Sequence, residues 1–321
     1  MNILILKLCA VFLVIIAMLW RKLPLFAAIS GGLAAAVLLY GIPLGRALTI
    51  GGKALVSRET VTVVLSFYFI TFLQRMLERR RRLKQAEESL SGLFGNRRIN
   101  ASAAPAVIGL LPSAGAMTIC AEIVRSSCED YMSPEDMTCV TSFYRHIPES
   151  FLPTYSSILI ALALSGVGAG QFVLAMLPLV AVLFLIGYVF HLRRLPKRTD
   201  QRLEGGKMDY ARMLFRSLWS IILIVLLIIA FDIPVYIATP LVTVLNMFVD
   251  RLKWWEIRPM FFTAFEPVII FNTVLIMVFK DIITSTGVIH ELPVFFGGLP
   301  VPLPLVFALI FFFGTIISGS N

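Results

Sequence analysis

Two short runs of small and polar residues interrupt apolar sequence. They are Leu111-Pro112-Ser113-Ala114-Gly115 and Ile317-Ser318-Gly319-Ser320-Asn321, and Ser318 follows Ser113 by 205 positions. Proline removes a backbone donor and glycine removes a Cβ, so such runs break a helix and allow close approach to its backbone. A broken helix leaves N–H and C=O groups without partners. In lipid these must be satisfied by protein, water or a ligand. Freed N–H groups at a helix start favour anions, and freed carbonyls favour cations. Ser113, Ser318, Ser320 and Asn321 add side-chain oxygens for Na⁺ or hydrogen bonds for a carboxylate. Small residues that only let helices pack would look similar. Recurrence of the break in a second half favours a substrate and ion site made of Pro112, Ser113, Ala114 and Gly115 with Ser318, Gly319, Ser320 and Asn321.

A second cluster follows the first break. In Tyr144-Arg145-His146-Ile147-Pro148-Glu149-Ser150, continuing through Pro153 and Tyr155, three ionisable groups sit beside apolar sequence. Arg145 suits an anionic substrate or an ion pair with Glu149, and His146 suits proton relay. The other reading is an interfacial anchor whose charged ends reach for water. Glu266 lies at the start of a later apolar stretch that also holds Asn272, Lys280 and Asp281. Arg145, His146, Glu149, Tyr155 and Glu266 form the candidate gating or proton-relay group.

Enzymatic chemistry finds little support. Ser318 lacks a G-x-S-x-G frame, and no segment sets His290 against it. The four cysteines, Cys9, Cys120, Cys128 and Cys139, form no CxxC pair and have no histidine at ligand spacing. They read as reduced packing residues, so neither a metal site nor a cofactor is expected beyond coupling Na⁺ or H⁺.

The elements that must hold these residues are membrane helices. Of 321 residues 58% are apolar and only 15% charged, with mean hydropathy +0.88, whereas a soluble domain is about a quarter charged. Apolar spans are predicted at 3–20, 24–44, 60–77, 151–164, 171–191, 214–230, 233–248 and 262–283, with the breaks inside 101–121 and 301–321. Polar loops are predicted at 45–59, 78–100, 123–147, 192–212 and 250–258. The first span carries its charges after it, at Arg21 and Lys22, the reverse of a cleavable signal. The net charge of +9 resides in loops beside apolar runs, which fits a lipid bilayer and not nucleic acid.

Charge also orients the chain. Arg79 to Arg82 with Lys84, Arg97 and Arg98 mark one basic loop, and Arg193, Arg194, Lys197, Arg198, Arg202, Lys207 and Arg212 mark another. Both belong in the cytoplasm. That requires an even number of crossings between them, which favours a re-entrant hairpin at about 101–124, dipping in and returning, over a Pro-kinked span. The arm 102–111 is about 15 Å of helix, half a bilayer. Arg46, Lys53 and Arg58 run against this scheme, since it puts them outside. An odd number of crossings separates the two halves, which inverts one against the other. The division is a first repeat at 1–191, a basic cytoplasmic linker at 192–212 and a second, incomplete repeat at 213–321. Completing the second repeat calls for roughly 75 further residues in the natural protein.

Tyr144-Arg145-His146 with Glu149, Pro153 and Tyr155, Pro112-Ser113-Ala114-Gly115-Ala116-Met117, and Ser318-Gly319-Ser320-Asn321 resemble an uncharacterised group of prokaryotic integral membrane proteins, the "domain of unknown function 401" family. That family is similar to the ion transporter superfamily of dicarboxylate, citrate and gluconate carriers. The resemblance runs along nearly the whole chain. It implies an inverted-repeat fold with two hairpins whose tips form the substrate and cation site, and a homodimer. Related carriers have Ser-Asn-Thr tips, whereas the first tip here, Ser113-Ala114-Gly115, has no amide. The expectation is an all-α polytopic membrane protein: an inverted-repeat transporter with re-entrant helical hairpins and a truncated second repeat. It would sit in the inner membrane and carry a small anionic organic solute with Na⁺ or H⁺. The competing expectation is a non-transporting membrane scaffold or a protein that processes lipid-linked material.

Overall fold

A long apolar run meets its backbone hydrogen-bonding needs in lipid by coiling into a helix. The computed structural model describes residues 3–93, 96–110, 116–197, 206–298 and 300–318, and sixteen α-helices dominate them. In order these are α1 (Ile3–Trp20), α2 (Leu25–Tyr40), α3 (Leu44–Leu55), α4 (Arg58–Arg79), α5 (Arg82–Leu93), α6 (Arg97–Ile108), α7 (Ala116–Cys128) and α8 (Pro134–His146). Then follow α9 (Ser156–Ser165), α10 (Ala169–Gly187), α11 (Lys207–Phe231), α12 (Val235–Val249), α13 (Trp254–Thr263), α14 (Pro267–Ser285), α15 (Val288–Gly297) and α16 (Leu303–Ser318). A 3₁₀ turn, Ile147–Ser150, continues α8, and a π turn, Tyr188–Leu192, extends α10.

Five helices are long and apolar enough to cross a bilayer: α1, α4, α10 with its π turn, α11 and α14. At 25 residues, α11 is about 37 Å long, more than the hydrocarbon thickness of about 30 Å. Leu174, Leu177, Leu179, Val182 and Leu185 of α10 are all exposed. A contiguous apolar exterior of this kind needs lipid around it. The chain is an all-α membrane protein.

The expected spans find helices at closely matching positions, with two local differences. In the stretch expected at 151–164, helix begins only at Ser156. Pro148 lies in the 3₁₀ turn and Pro153 in the non-helical stretch before α9, where a missing N–H and a fixed φ prevent continuation. In the stretch expected at 262–283, α13 ends at Thr263 and α14 starts afresh at Pro267, the position where proline starts a helix well. Much of the sequence read as polar loop is also helical, as α3, α5, α8 and part of α13. For α8 the reason is local. The Ser133 side chain accepts from the Asp136 N–H, Pro134 sits in the first turn, and Glu135 and Asp136 face the positive end of the dipole.

Contacts divide the chain into two compact units, residues 1–64 with 266–321, and residues 65–265. This grouping follows packing and differs from the sequence division near residue 191. In the first unit α1 packs on α2, α15 and α16, while α14 packs on α2 and α3. Gly31 and Gly32 let α1 and α2 approach closely, since a Cβ at either position would overlap Met18 or Ile15. Ile5, Leu8, Val11, Ala36, Ile282, Ile283 and Val288 fill its core. In the second unit α11 packs on α5, α10 and α12, and α6, α7 and α8 pack on one another. Thr239, Thr243 and Asn246 of α12 are fully buried there, and the Thr243 hydroxyl lies 3.4 Å from the Phe69 carbonyl of α4. Asp232 closes α11 in the left-handed conformation, φ 51°, and Pro234 caps α12. Together they make a tight turn between the two helices.

Candidate functional site

The site is built where α6, α7 and α8 meet. Ala101, Ala104 and Ala106 keep the buried face of α6 thin, so a neighbour can come close. The Cys120 thiol of α7 approaches the Pro105 carbonyl of α6 at 3.7 Å. Fifteen residues of straight helix would hold those positions about 22 Å apart, so α6 and α7 lie side by side.

The C-terminal end of α6 is tightly held. The Gly109 N–H donates to the Pro105 carbonyl at 2.8 Å. The Tyr155 hydroxyl donates to the Gly109 carbonyl. A Cβ on residue 109 would overlap the Arg145 carbonyl, so glycine is needed for close approach and not for an unusual φ. The end of α6 is thereby fixed to the end of α8 and to the non-helical stretch before α9.

Arg145 is 8% exposed and pairs with Glu149, one turn on, through Nη1. Among the described residues its Nε is buried with no acceptor, and the Thr154 hydroxyl, 3% exposed as a residue, is likewise without a partner. A buried guanidinium with an unused donor can receive a further acceptor. The Glu149 side chain is more open, at 22%.

The His146 Nδ1 lies 2.6 Å from the Ser142 carbonyl. A carbonyl only accepts, so Nδ1 carries a proton there. Glu266 belongs to the other unit, at the residue preceding α14. Pro112, Ser113, Ala114, Gly115, Gly319, Ser320 and Asn321 lie outside the described residues. Ser318 is the last residue of α16, and its side chain also lies outside the description. The structure therefore joins Arg145, Glu149 and Tyr155 into one cluster at the C-terminal end of α6, where Gly109 lies three residues before Pro112. Sequence reasoning missed Gly109 and Thr154. A lone glycine ahead of Leu-Leu-Pro is a weak signal for the first, and nothing local marks the second.

A search of the curated proteins finds no significant match to the chain. The sequence model of one family, described as "Protein of unknown function (DUF401)", matches residues 4–320. That match takes in nearly the whole chain, from α1 through the Arg145 cluster to the second polar break, and the protein belongs to this family.

Proposed function

We propose that this protein is a secondary active transporter of the inner membrane. It carries a small anionic organic solute of carboxylate type, coupled to Na⁺ or H⁺. One observation carries the reading. Helices α1 to α6 begin at residues 3, 25, 44, 58, 82 and 97, and α11 to α16 begin at 207, 235, 254, 267, 288 and 303. Each member of the second set follows its counterpart by 204 to 210 residues, close to the spacing of the two polar breaks, as an internal repeat requires.

Packing supports the same pairing. The α1–α2 contact of one unit corresponds to α11–α12 of the other, and α1–α15 corresponds to α11–α5. Likewise α14 against α2 corresponds to α4 against α12, where Thr243 meets Phe69. The contact of α14 with α3 corresponds to that of α4 with α13, where Phe72 and Phe261 meet edge to face. Each unit thus combines the first three helices of one repeat with the last three of the other. Repeats of inverted topology with breaks at matching positions are the architecture of many secondary transporters. In this reading α6 and α7 are the arms of a cytoplasmic re-entrant hairpin with its tip at 112–115, and α16 leads to the matching break.

The Arg145 cluster supplies a coupling step. A solute carboxylate competes with Glu149 for the Arg145 guanidinium. Protonation of Glu149, or a Na⁺ ion drawn to its carboxylate, releases Arg145 to the solute. Ser113 lies close in sequence to Gly109, the residue clamped by Tyr155, and gives access to the tip. The test uses Ser113→Cys with the exposed Cys9 and Cys139 replaced by serine. The introduced thiol is expected to react with a membrane-impermeant maleimide, and a transported carboxylate with Na⁺ or at low pH is expected to slow that reaction. A thiol that lipid shields under every condition overturns the reading.

A further inference from the structure

A different part of the 65–265 unit concentrates positive charge around an open cavity. The cavity has a volume of about 750 Å³ and is lined by Arg80, Arg82, Arg212, Arg216 and Arg251 with one carboxylate, Asp250. Its walls come from the C-terminal end of α4 and the start of α5, the first three turns of α11, and the C-terminal end of α12. Because α4 and α11 are membrane-length helices, their ends place the cavity at the boundary between lipid and water.

The acidic groups here are already committed. Asp250 pairs with Arg82, with side-chain exposures of 2% and 5%, and its other oxygen lies 3.4 Å from the Asn246 amide. Gln85 accepts from Arg82 Nη1 at 3.1 Å. Arg80 donates to the Asp250 carbonyl at 2.9 Å and lies 3.5 Å from Glu256. Both Arg80 Nε and Arg82 Nε are buried without an acceptor among the described residues. Arg212, Arg216 and Arg251 are exposed and have no ion pair among the described residues. Arg81 and Arg251 hold left-handed backbone, φ 52° and 48°. That conformation costs about 1 kcal/mol or more for a non-glycine residue, and it turns the chain so that Arg82 and Asp250 meet. Three exposed guanidiniums beside two already paired ones repel one another unless an anion joins them.

We infer that this cavity binds a phosphate-bearing anion through Arg212, Arg216 and Arg251, with the Arg82–Asp250 pair as its rigid floor. Guanidinium forks match phosphate oxygens in bidentate geometry, which a scattered basic surface does not. The volume falls in the range of small-ligand sites, roughly 300–1,000 Å³. The phosphate group is supplied either by an anionic lipid headgroup or by a free phosphate. This inference does not depend on the transport reading.

The full chain in detergent is incubated with equal amounts of phosphatidylglycerol and phosphatidylcholine of matched acyl chains, and retained lipid is read by native mass spectrometry. In parallel, thermal unfolding is followed with inorganic phosphate against chloride at constant ionic strength. Retention of phosphatidylglycerol over phosphatidylcholine by about fivefold or more, reduced to near parity in Arg212→Gln/Arg216→Gln, supports a lipid phosphate. A phosphate-specific rise in Tm without lipid preference, lost in the same variant, supports a free phosphate. Both arginines are exposed, so the variant keeps the fold, and an unchanged Tm without phosphate verifies this. No preference in either arm, or a preference that the double substitution leaves intact, overturns the inference.

Discussion

Arg82 and Arg145 both reach a carboxylate inside the 65–265 unit, but by different routes. Arg82 meets Asp250 across 168 residues of sequence, with both side chains almost wholly out of water. Arg145 meets Glu149 one turn along its own segment, at a helix break, and the carboxylate side keeps 22% of its surface. Separating a fully buried pair strands two charges in a poor solvent. Separating a pair with one wet end leaves water to take over that carboxylate. The first arrangement suits a lock that holds three helix ends together. The second suits a contact that opens and closes as protons and anions come and go.

The largest expected effect is on the lock. Arg82→Ala leaves Asp250 buried without its partner and is expected to cost about 3–5 kcal/mol, read by chemical unfolding in detergent. Arg82→Ala/Asp250→Ala is expected to lose less than the two single variants together, because the stranded charge is gone. A loss under about 1 kcal/mol for Arg82→Ala would erase the distinction between the two pairs. Arg145→Ala is expected to cost less, about 2 kcal/mol, since Glu149 regains water. If it equals Arg82→Ala, the Arg145 pair is a lock as well, and its switching role fails.

The smallest effect tests the rim of the basic cavity through pH. The Lys253 backbone N–H, bonded to Glu256 at 3.0 Å, holds the Glu256 carboxyl below its ordinary range, and Arg80 and Arg79 add to this. A carboxyl depressed by folding contributes stability above its unfolded pKa and loses it as pH falls through the folded pKa. Glu256→Gln is therefore expected to lower stability slightly at neutral pH and to flatten its decline below the ordinary carboxylate range. Identical acid unfolding curves for the two proteins would show that this contact contributes nothing.

The membrane helices were legible in the sequence wherever an apolar run met a charged stop. The first span, 3–20, coincides with α1 because Arg21 and Lys22 end the run. Short amphipathic helices were less visible. In α3, Arg46 and Lys53 interrupt the apolar residues, and only tertiary packing on α14 decides that such a segment is helix and not loop. The Arg145–Glu149 pair follows from i,i+4 spacing and was open to sequence reasoning. The bond from Tyr155 to Gly109 spans 46 residues, and the Arg82–Asp250 pair spans more. No local pattern marks either, because both exist only once helix ends converge. Arg79 to Arg82 mark a basic loop in the sequence, yet Arg82 is 4% exposed, directly after the left-handed Arg81.

The central claim is transport, and flux tests it most directly. The full chain is reconstituted in sealed vesicles under an imposed Na⁺ or proton gradient with radiolabelled succinate, citrate or gluconate outside. The account predicts accumulation above equilibrium of at least one of these anions. It predicts that accumulation collapses with the gradient and is lost in Arg145→Gln while the variant remains folded. Uptake that never exceeds that of protein-free vesicles under either gradient contradicts the account.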